Sequence, residues 1–463
     1  MAEQLRVNPG QLSPYDPGYD PLVAINPGHG RAYAPTYWID TAGAPPEDDG
    51  PVDQDIDVDV AIIGSGFTGL SCALFLAEEH GIKAHVLEAN QVVWGCTSRN
   101  GGQAQNASGR LTRSQWIQRW GLQTALKMHA EIQQGFDTFK YLIEDIDCDA
   151  QRDGHLYNAH RPEAMEKLRS EVRVHNEVFG YKTRILEKDE LHRDYVHEAE
   201  AVGAMLEPEG IGVHPLKLAY GYMRKARALG AKVHPCSPVT GWQTRDGVHS
   251  LRTPGGTVRA RAVGVATGGY TSQELHPLLK NRLMPILSNS VVTRPLTSAE
   301  KEACNFLSTL VITDTRTLRH YYRLLPDDRV QIGSRSAIHG ADAANPRHLK
   351  VLLDGLNRKF PALKGIDIDY SWWGWVDVSH DMMPRVVQPV PRETMFYALG
   401  YGGNGVMYSA QGGRRMAEMI AGKGDKLDLP IFRSQLPGEP LAPFRRIGQR
   451  FLYKWYYLRD ERL

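Results

Sequence analysis

The sequence is poor in cysteine and has almost no net charge. Its 463 residues include only 5 cysteines, and none of them forms a CxxC pair. This spacing indicates neither a disulfide framework nor a zinc site, so we expect no bound metal. The 54 basic and 53 acidic side chains give a net charge of +1, without the basic excess typical of nucleic-acid-binding proteins. We therefore expect no nucleic-acid partner.

The sequence also lacks a hydrophobic run that could cross a bilayer. Stretches such as 58–63 and 70–77 are too short for the ~20 apolar residues of a membrane helix, so we expect no transmembrane segment. The start, MAEQLRVNPGQLSPYDP, has no charged segment followed by an apolar one, as a secretory signal would. With 42% hydrophobic and 23% charged residues, the composition is that of a globular protein. We expect it to be cytoplasmic.

Residues 1–55 are rich in proline, glycine and aspartate, a composition that disfavours helices and central strands. They are predicted to form an irregular N-terminal arm. Tyr15, Tyr19, Tyr33, Tyr37 and Trp38 lie in this arm. Because a solvated tail is seldom so aromatic, we expect part of the arm to pack against the body.

From residue 57 the pattern changes to a strand, a glycine turn and a helix. The turn GSGFTG at 64–69 follows the apolar DVDVAII and precedes LSCALFLAEEHG. In this setting the motif G-x-G-x-x-G is a dinucleotide fingerprint, because its glycines allow a tight turn, close approach to a pyrophosphate and close helix–strand packing. Glu88, ~20 residues further on, ends the next strand and could accept hydrogen bonds from ribose hydroxyls.

Three further turns of small residues end predicted strands or follow them directly. They are WGCTSRNGGQ at 94–103, ATGG at 266–269 and GGNG at 402–405. Small residues let the backbone approach a bound molecule closely. Several such turns together favour a cofactor that extends across the sheet, as FAD does, over NAD.

The order of predicted elements indicates a mixed α/β and α+β fold. Strand–helix units alternate on both sides of a strand-rich block, which predicts a Rossmann-like nucleotide-binding domain assembled from separated segments, with an inserted domain containing a mainly antiparallel sheet. We assign 56–150, 211–285 and 376–430 to the first domain and 151–210 and 286–375 to the second. Residues 431–463 form a separate C-terminal segment.

These motifs resemble the D-amino-acid-oxidase-like FAD oxidoreductases, a family that includes glycine oxidase, sarcosine oxidase and gamma-glutamylputrescine oxidase. The resemblance covers nearly the whole chain in family order, through TYWIDTA (36–42), GHLYNA (154–159), VATGGY (265–270), WGWVDVSHDMMP (373–384) and LGYGGNGV (399–406). The loop at 94–103 is most similar to the GASGRNGGQ loop of gamma-glutamylputrescine and gamma-glutamylpolyamine oxidases. Cys96 and Thr97 depart from the usual small pair in this loop.

The resemblance implies a fold like that of glycine oxidase and D-amino acid oxidase, with FAD held non-covalently. The residues expected to bind FAD are Gly64, Ser65, Gly66, Phe67, Thr68, Gly69, Glu88, Ala89, Thr97, Ser98, Arg99, Asn100, Gly101, Gly102, Gln103, Val239, Ala266, Thr267, Gly268, Gly402, Gly403, Asn404, Gly405 and Val406. Val239 would contact the adenine. The helix that starts near Val406 would stabilise negative charge on the reduced flavin.

The resemblance also implies the oxidation of an amine. Hydride would pass from the carbon next to the amine nitrogen to flavin N5, water would hydrolyse the imine to an aldehyde, and O2 would reoxidise the flavin to give H2O2. The expected substrate is a gamma-glutamylated amine or polyamine, such as gamma-glutamylputrescine, in polyamine or amine catabolism. One alternative is a small secondary or D-amino acid, such as sarcosine, glycine or D-alanine. Another is a non-catalytic flavin-binding assembly or regulatory protein.

Substrate-binding candidates come from the strand-rich block and its flanks. Tyr322 and Trp373 are expected to contribute to an aromatic cage, together with Tyr321, Trp372 and Trp375. Arg323 could bind a carboxylate, as could Arg335. His380 is a candidate base, with His320 and His339 as alternatives.

The pattern of the last residues, 443–463, predicts a basic, aromatic amphipathic helix. We expect this helix to dock on the FAD-binding domain, because long aromatic C-terminal segments need a surface to bury against. Weak contact with a membrane surface or an anionic partner is the alternative. The sequence leaves the oligomeric state open.

Overall fold

The computed structural model describes residues 12–24, 30–424 and 428–461. Its helices are α1 (Tyr37–Thr41), α2 (Phe67–His80), α3 (Arg113–Trp120), α4 (Leu122–Ile143), α5 (Pro162–Phe179), α6 (Lys188–Asp194), α7 (Pro215–Ala228), α8 (Ser298–Cys304), α9 (Pro346–Lys359), α10 (Gly405–Ile420), α11 (Pro430–Arg433) and α12 (Arg445–Glu461). Its strands are β1 (Ile56–Ile63), β2 (Ala84–Leu87), β3 (Gln103–Gln105), β4 (His155–Ala159), β5 (Arg184–Glu187), β6 (Gly203–Glu207), β7 (Gly210–Gly212), β8 (Lys232–His234), β9 (Gly241–Arg245), β10 (Val248–Arg252), β11 (Thr257–Val265), β12 (Ile286–Thr293), β13 (Val311–Asp314), β14 (Tyr321–Leu324), β15 (Val330–Ser334), β16 (Ile368–Val376), β17 (Arg385–Val387) and β18 (Met395–Leu399).

The first large sheet has a parallel core around β1. Its strand order is β17-β18-β11-β1-β2-β8, with β10 and β9 paired beyond β11. Strands β18, β11, β1, β2 and β8 run parallel, whereas β17 and the β9–β10 hairpin are antiparallel. Both faces of β1 are buried, since Val60 and Ile62 join the core that contains α2, α7 and α10 while Ala61 and Ile63 join the opposite one. This two-sided burial is typical of parallel strands.

The second large sheet is mainly antiparallel, with the order β16-β12-β15-β14-β13-β4-β6-β5. Only the β13–β4 pairing is parallel among its described strand pairs. All of its strands lie within 155–207 and 286–376, while those of the first sheet lie in the flanking segments. A short sheet of β3 and β7 lies apart from both. The predicted fold class is therefore confirmed, whereas the exact domain boundaries stay a prediction.

Part of the N-terminal arm, among its described residues 12–24 and 30–55, packs on the body as expected. Tyr19 is 6% exposed and Trp38 1%. The arm is not wholly irregular, because Thr36 accepts a hydrogen bond from the Ile39 amide and begins the short helix α1. A side-chain cap of this kind satisfies an amide that a short helix would otherwise leave free.

The C-terminal helix α12 forms as predicted and docks on more of the body than expected. Its partners are Thr317 and Arg316 beside β14 and Asp20 of the arm, together with the carbonyls of Leu283 and Pro285. The helix therefore contacts the end of the segment 211–285, which was assigned to the first domain, as well as the second domain and the arm. No helix in the described segments is long and apolar enough to span a membrane. The cytoplasmic location stays a prediction.

A buried ionic cluster lies under the second sheet. The Lys359 ammonium, at the end of α9, is 0% exposed and lies 2.9 Å from Glu198, 3.3 Å from Glu200 and 3.0 Å from Asp314. Although burial alone would raise it, Lys359 holds the pKa of Asp314 well below its usual value. The Tyr322 hydroxyl also hydrogen-bonds to Glu198. The cluster thus neutralises several buried charges at one point.

Removing the Lys359 ammonium should strongly destabilise the protein. Lys359→Met would leave three carboxylates without their shared cation, and breaking a buried ion pair costs about 3–5 kcal/mol. The matched control on the same helix is Lys350→Met, whose exposed pair with Asp354 contributes under about 1 kcal/mol. Urea unfolding followed by circular dichroism measures both variants. Equal stability of the two variants would contradict this role of Lys359.

Candidate active site

The fingerprint turn is closed by backbone contacts in which a side chain has no room. A Cβ on Gly64, whose φ is +108°, would lie 2.6 Å from the Ala266 carbonyl oxygen at the end of β11. A Cβ on Gly69 would lie 1.9 Å from the Gly64 carbonyl oxygen, and one on Gly66 3.1 Å from the Thr97 hydroxyl. Glycine at these positions lets β1, β11 and the start of α2 meet, with free amides at the helix N-terminus.

Glu88 lies at the end of β2 beside this turn and is 9% exposed. One carboxylate oxygen accepts hydrogen bonds from the Ser65 amide at 3.0 Å and the Ser65 hydroxyl at 2.7 Å. The other accepts one from the Asn90 amide at 3.1 Å. Burial raises the pKa of Glu88 above its ordinary value. These bonds fix the carboxylate at the edge of the turn.

A long cleft runs from this turn along the carboxyl ends of β1, β2 and β11. We define the long cleft by its lining residues, which include Gly64, Ser65, Gly66, Phe67, Thr68, Glu88, Ala89, Thr97, Asn100, Val239, Ala266, Thr267, Gly268, Gly403, Gly405 and Val406. Sequence reasoning named all of these. It missed other lining residues, notably Tyr270, Asp377 and Tyr401. A cleft at the carboxyl ends of parallel strands is the usual ligand site of such sheets.

A second space adjoins the long cleft. We call it the adjoining cavity, and its lining includes Arg99, Gly101, Gln103, Gln105, Arg110, Ser288, Thr313, Arg319, Tyr321, Arg335, Gly374, Gly402 and Asn404. Cys96, Asn100, Val376, Gly403 and Val406 line both spaces. A ligand in the long cleft and a small molecule in the adjoining cavity would therefore meet at this shared wall.

The loop at 94–103 lies between the two spaces and is held rigidly. The Asn100 side chain donates to the Thr97 carbonyl at 2.9 Å and accepts from the Gly102 amide at 2.8 Å. Indole N–H groups of Trp38 and Trp372 donate to the carbonyls of Asn100 and Arg99, both at 2.8 Å. The loop can therefore form part of a preorganised site.

Three residues of the predicted FAD-binding set line neither space. Gly69 packs α2 against the turn. The Ser98 hydroxyl donates to the Trp94 carbonyl at 3.1 Å. A Cβ on Gly102 would lie 2.1 Å from the Val213 carbonyl oxygen. All three pack within the backbone that surrounds the site.

None of the four predicted catalytic residues lines either space. Tyr322 points into the core of the second sheet, because neighbouring residues on a strand face opposite ways, and Tyr321 reaches the cavity instead. By the same alternation, Gly374 faces the cavity, whereas the Trp373 indole donates to the Pro17 carbonyl at 2.9 Å. The predicted aromatic cage is thus reduced to Tyr321.

Arg323 and His380 also lie outside the cavity. The Arg323 guanidinium donates to the Gln151 side chain at 2.8 Å and to the Val213 carbonyl at 2.6 Å, beneath β7. Burial lowers the pKa of Arg323 to about 10. His380 lies half-buried in the connection between β16 and β17. Neither residue can contact a molecule in the adjoining cavity as the side chains stand.

Besides Arg99, whose guanidinium lies over the Trp94 ring at 4.2 Å, three arginines with no acidic partner line the adjoining cavity. Arg110, Arg319 and Arg335 come from three separate segments, and none of the ion pairs among the described residues involves them. Their guanidinium groups reach only neutral oxygens: the Gly402 carbonyl at 3.3 Å, the Tyr157 hydroxyl at 3.1 Å and the Thr317 carbonyl at 3.0 Å, respectively. The cavity therefore carries excess positive charge.

The like charges of these arginines disfavour one another's protonated forms. Burial, and then the neighbouring charges of Arg335 and Arg319, lower the pKa of Arg110 well below its ordinary value. Burial and Arg319 likewise lower the pKa of Arg335. A carboxylate that entered the cavity would relieve both effects by supplying the missing negative charge.

A histidine–glutamate pair lies directly behind the cavity wall. His155 Nδ1 lies 2.6 Å from Glu207, and His155 Nε2 lies 2.8 Å from the Thr313 hydroxyl and 3.3 Å from the Gln105 amide nitrogen. The Gln105 amide can only donate, so we assign Nε2 as the acceptor and Nδ1–H as the donor to Glu207. This arrangement leaves His155 able to accept a proton through Thr313.

Sequence reasoning missed Arg110, Arg319 and the His155–Glu207 pair. His155 lies within the quoted segment GHLYNA, but this segment does not signal that His155 meets Glu207. They meet because β4 and β6 pair with His155 opposite Glu207. Arg110 and Arg319 had no local signal, since only the fold brings them to one cavity.

Comparison with known proteins agrees with this geometry. The model of the DAO family, described as FAD dependent oxidoreductase, matches residues 59–419. The chain is 31% identical over 424 residues to the gamma-glutamylputrescine oxidoreductase of Escherichia coli (strain K12), covering 88% of this chain and 94% of that protein. It is 21% identical to the glycine oxidase of Bacillus subtilis (strain 168), over 79% of this chain and 93% of that protein.

Among solved structures, the glycine oxidase of Geobacillus kaustophilus superposes with a TM-score of 0.67 at 22% identity, covering 84% of this chain and 98% of that chain. This likeness confirms the predicted fold. The family match extends over most of the chain, and it confirms the predictions of an enzyme and of FAD as its cofactor. The chain belongs to the DAO family of FAD-dependent oxidoreductases.

Proposed function

We propose that this protein oxidises an amine that carries a carboxylate, preferably a gamma-glutamylated amine or polyamine such as gamma-glutamylputrescine. The observation that carries the proposal is the set of three arginines without an acidic partner in the adjoining cavity, next to the wall shared with the long cleft. The similarity to a gamma-glutamylputrescine oxidoreductase supports the same substrate class. The enzyme would then act in polyamine or amine catabolism.

We propose that FAD binds non-covalently in the long cleft. The fingerprint turn 64–69 would hold the pyrophosphate at the N-terminus of α2, and Glu88 would accept hydrogen bonds from the ribose. Val239 would contact the adenine, while the loop 97–103 and the turn 402–406 would border the flavin. The absence of room for a Cβ at Gly64 and Gly69 supports this assignment, because it keeps the cradle free of side chains.

When bound, FAD supplies a two-electron acceptor for the hydride that leaves the carbon next to the amine nitrogen, after which the imine is hydrolysed to an aldehyde and O2 is reduced to H2O2. The protein's task is to bind the amine in its neutral form. An alkylammonium with a pKa of ~10 needs ~4 kcal/mol to lose its proton at pH 7. The positive charges of Arg110, Arg319 and Arg335 offset part of this cost, because nearby cations lower the pKa of an ammonium.

We propose that the His155–Glu207 pair accepts the amine's proton through Thr313. The Thr313 hydroxyl lines the cavity and hydrogen-bonds to His155 Nε2 at 2.8 Å. The negative charge of Glu207 would stabilise the imidazolium that forms. Burial alone would raise the pKa of Glu207, but the hydrogen bond from His155 holds it below its ordinary value, so this carboxylate stays charged. His155 is then a positioning residue behind Thr313.

A second candidate is the oxidation of a compact secondary or D-amino acid, such as sarcosine, glycine or D-alanine. One observation favours it: among the described lining residues of the adjoining cavity there is no aspartate or glutamate. The wall therefore offers no anionic partner for the α-ammonium group of a gamma-glutamyl head. A compact amino acid, with a single amine that must become neutral, needs no such partner.

The substrate panel that tests the proposal contains gamma-glutamylputrescine, putrescine, sarcosine, glycine and D-alanine. We expect gamma-glutamylputrescine to bleach the flavin fastest without oxygen and to yield H2O2 in air. Putrescine, which lacks a carboxylate, should react poorly. Faster reaction with sarcosine, glycine or D-alanine would favour the second candidate, and equal reaction of putrescine would contradict the role of the arginines.

The companion variant is Arg110→Gln. A hydrogen bond to a charged group contributes about 1.5–3 kcal/mol, so KM for the carboxylated substrate should rise about 10–100-fold while kcat changes less. The thermal midpoint should stay equal or rise, because one of three repelling charges is removed. Arg261→Gln, at an 82% exposed side chain, is the control that should leave both values unchanged. An unchanged KM in Arg110→Gln would contradict carboxylate binding.

Gly69→Ala should impair FAD binding. The added Cβ would meet the Gly64 carbonyl oxygen at 1.9 Å, and since both atoms belong to backbone, the turn must open. We expect flavin content, measured as visible flavin absorbance relative to protein absorbance, to fall at least about tenfold. Gly438→Ala is the matched control, because nothing lies within 4 Å of its Cβ. Full flavin content in Gly69→Ala would remove support for the cradle.

Thr313→Val and His155→Gln should slow flavin reduction at pH 7 by about 100-fold or more, the usual effect of losing a general base. Both variants should recover as the pH rises toward the ~10 pKa of the amine, because the substrate then arrives neutral. Thr313→Ser keeps the hydroxyl and should retain most of the rate. Stopped-flow reduction across pH measures this. Profiles parallel to that of the unsubstituted protein would exclude the relay.

The groups that face His155 come from several elements. They are Glu207 on β6, Tyr157 on β4, Thr313 on β13 and Gln105 on β3, with Arg113 and His175 near Glu207. Glu207 is the only carboxylate hydrogen-bonded to His155 in the described segments. Glu207→Gln should therefore shift the pH profile in the same direction as His155→Gln, by a smaller amount.

A further inference from the structure

Helix α12 is attached to the body through one face only. Asp460 accepts a hydrogen bond from the Thr317 amide at 2.6 Å, and Glu461 lies 2.6 Å from Arg316. Near its start, Arg446 lies 2.9 Å from Asp20. Gln449 is 1% exposed on the same side. These contacts at both ends fix the orientation of the helix.

On the opposite face of α12, a stripe of large apolar side chains is exposed to solvent. The stripe consists of Phe444, just before the helix, and Ile447, Phe451, Trp455 and Leu458, with exposures of 62%, 54%, 70%, 53% and 43%. These positions recur every three or four residues, so they share one side of a helix. Leu441, Leu452 and Tyr457 are also exposed, at 66%, 45% and 55%. The other exposed large apolar residues of the described chain are scattered singly.

Positive charge flanks this stripe. Arg450 and Lys454 are exposed beside it on the helix surface. The sequence from Leu441 to Arg459 contains no aspartate or glutamate. The two acids that follow, Asp460 and Glu461, both turn toward the body. The free surface of α12 is therefore apolar in the middle, cationic at its edge and without negative charge.

We propose that this stripe docks α12 on an anionic lipid surface, with the helix lying in the plane of the headgroups. An apolar face rich in Phe and Trp beside Arg and Lys is the composition of helices that bind membrane interfaces. A contiguous exposed apolar patch marks an interaction site, whereas single exposed apolar residues do not. A second copy of the chain is less well matched, because a two-fold contact would bring the Arg450 and Lys454 pairs together without acidic partners.

The test is sedimentation of the holoenzyme with vesicles of phosphatidylcholine alone or mixed with phosphatidylglycerol. We expect binding to the mixed vesicles, weaker binding to phosphatidylcholine, and loss of binding as salt rises, because salt screens the cationic edge. The double variant Phe451→Ser/Trp455→Ser should bind the mixed vesicles at least ~10-fold more weakly. Arg450→Gln/Lys454→Gln should lose the preference for anionic lipid.

Leu307→Ser is the matched control, since Leu307 is 63% exposed but lies outside α12. It should bind vesicles like the unsubstituted protein. Flavin absorbance and amine oxidation should be unchanged in all of these variants, which separates this proposal from the proposed function. Absence of vesicle binding would overturn the proposal. Vesicle binding that survives Phe451→Ser/Trp455→Ser would also overturn it. A third contrary result would be that the unsubstituted protein does not bind vesicles but forms a dimer in light scattering, and that Phe451→Ser/Trp455→Ser dissociates this dimer.

Discussion

The site depends on one close backbone contact, where the turn after β1 meets the end of β11. Gly64 approaches Ala266 and Gly69 approaches Gly64 so closely that neither position can hold a Cβ. The contact aligns the carboxyl ends of β1, β2 and β11 with the N-terminus of α2 and opens the long cleft there. The loop 94–103 and the turn 402–406 then complete its walls. Opening this contact would displace residues 64–68, which line the long cleft.

Two clusters of positive charge in the protein differ in how they are neutralised. Around Lys359, the carboxylates of Glu198, Glu200 and Asp314 each lie within 3.3 Å of the ammonium, so opposite charges are paired inside the cluster. Around Arg110, Arg319 and Arg335, only neutral oxygens are within reach, and the guanidinium groups lower one another's affinity for protons. The first arrangement stabilises the domain. The second leaves charge available to a ligand, and it also disfavours an amine that arrives protonated.

Local patterns predicted the fold and most of the long cleft. The fingerprint, Glu88 and the glycine turns at strand ends can each be recognised from a few neighbouring residues, so they were predicted from the sequence. The residues that line the adjoining cavity were harder to predict from the sequence. Choosing Tyr322 over Tyr321, or Trp373 over Gly374, requires knowing which face of a strand points inward, and a shift of one residue reverses it.

Other residues of the cavity carried no local signal at all. Arg110 and Arg319 come from separate segments, and His155 meets Glu207 only through the pairing of β4 with β6, whereas Arg335 had been named as a candidate for carboxylate binding. The docking of α12 was predicted only in part: Leu283 and Pro285 lie in the segment assigned to the FAD-binding domain, whereas Asp20 and Thr317 belong to the arm and the second domain. Charge complementarity between distant segments can be identified only once the fold has brought them together.

The most direct measurement is a crystal structure of the FAD-loaded enzyme with gamma-glutamylputrescine, grown and frozen without oxygen. Our account predicts the flavin ring along the wall formed by Cys96, Asn100, Val376, Gly403 and Val406, and the substrate carboxylate within hydrogen-bond distance of at least one of Arg110, Arg319 and Arg335. A flavin bound elsewhere, or a substrate whose carboxylate points away from all three arginines, would contradict it.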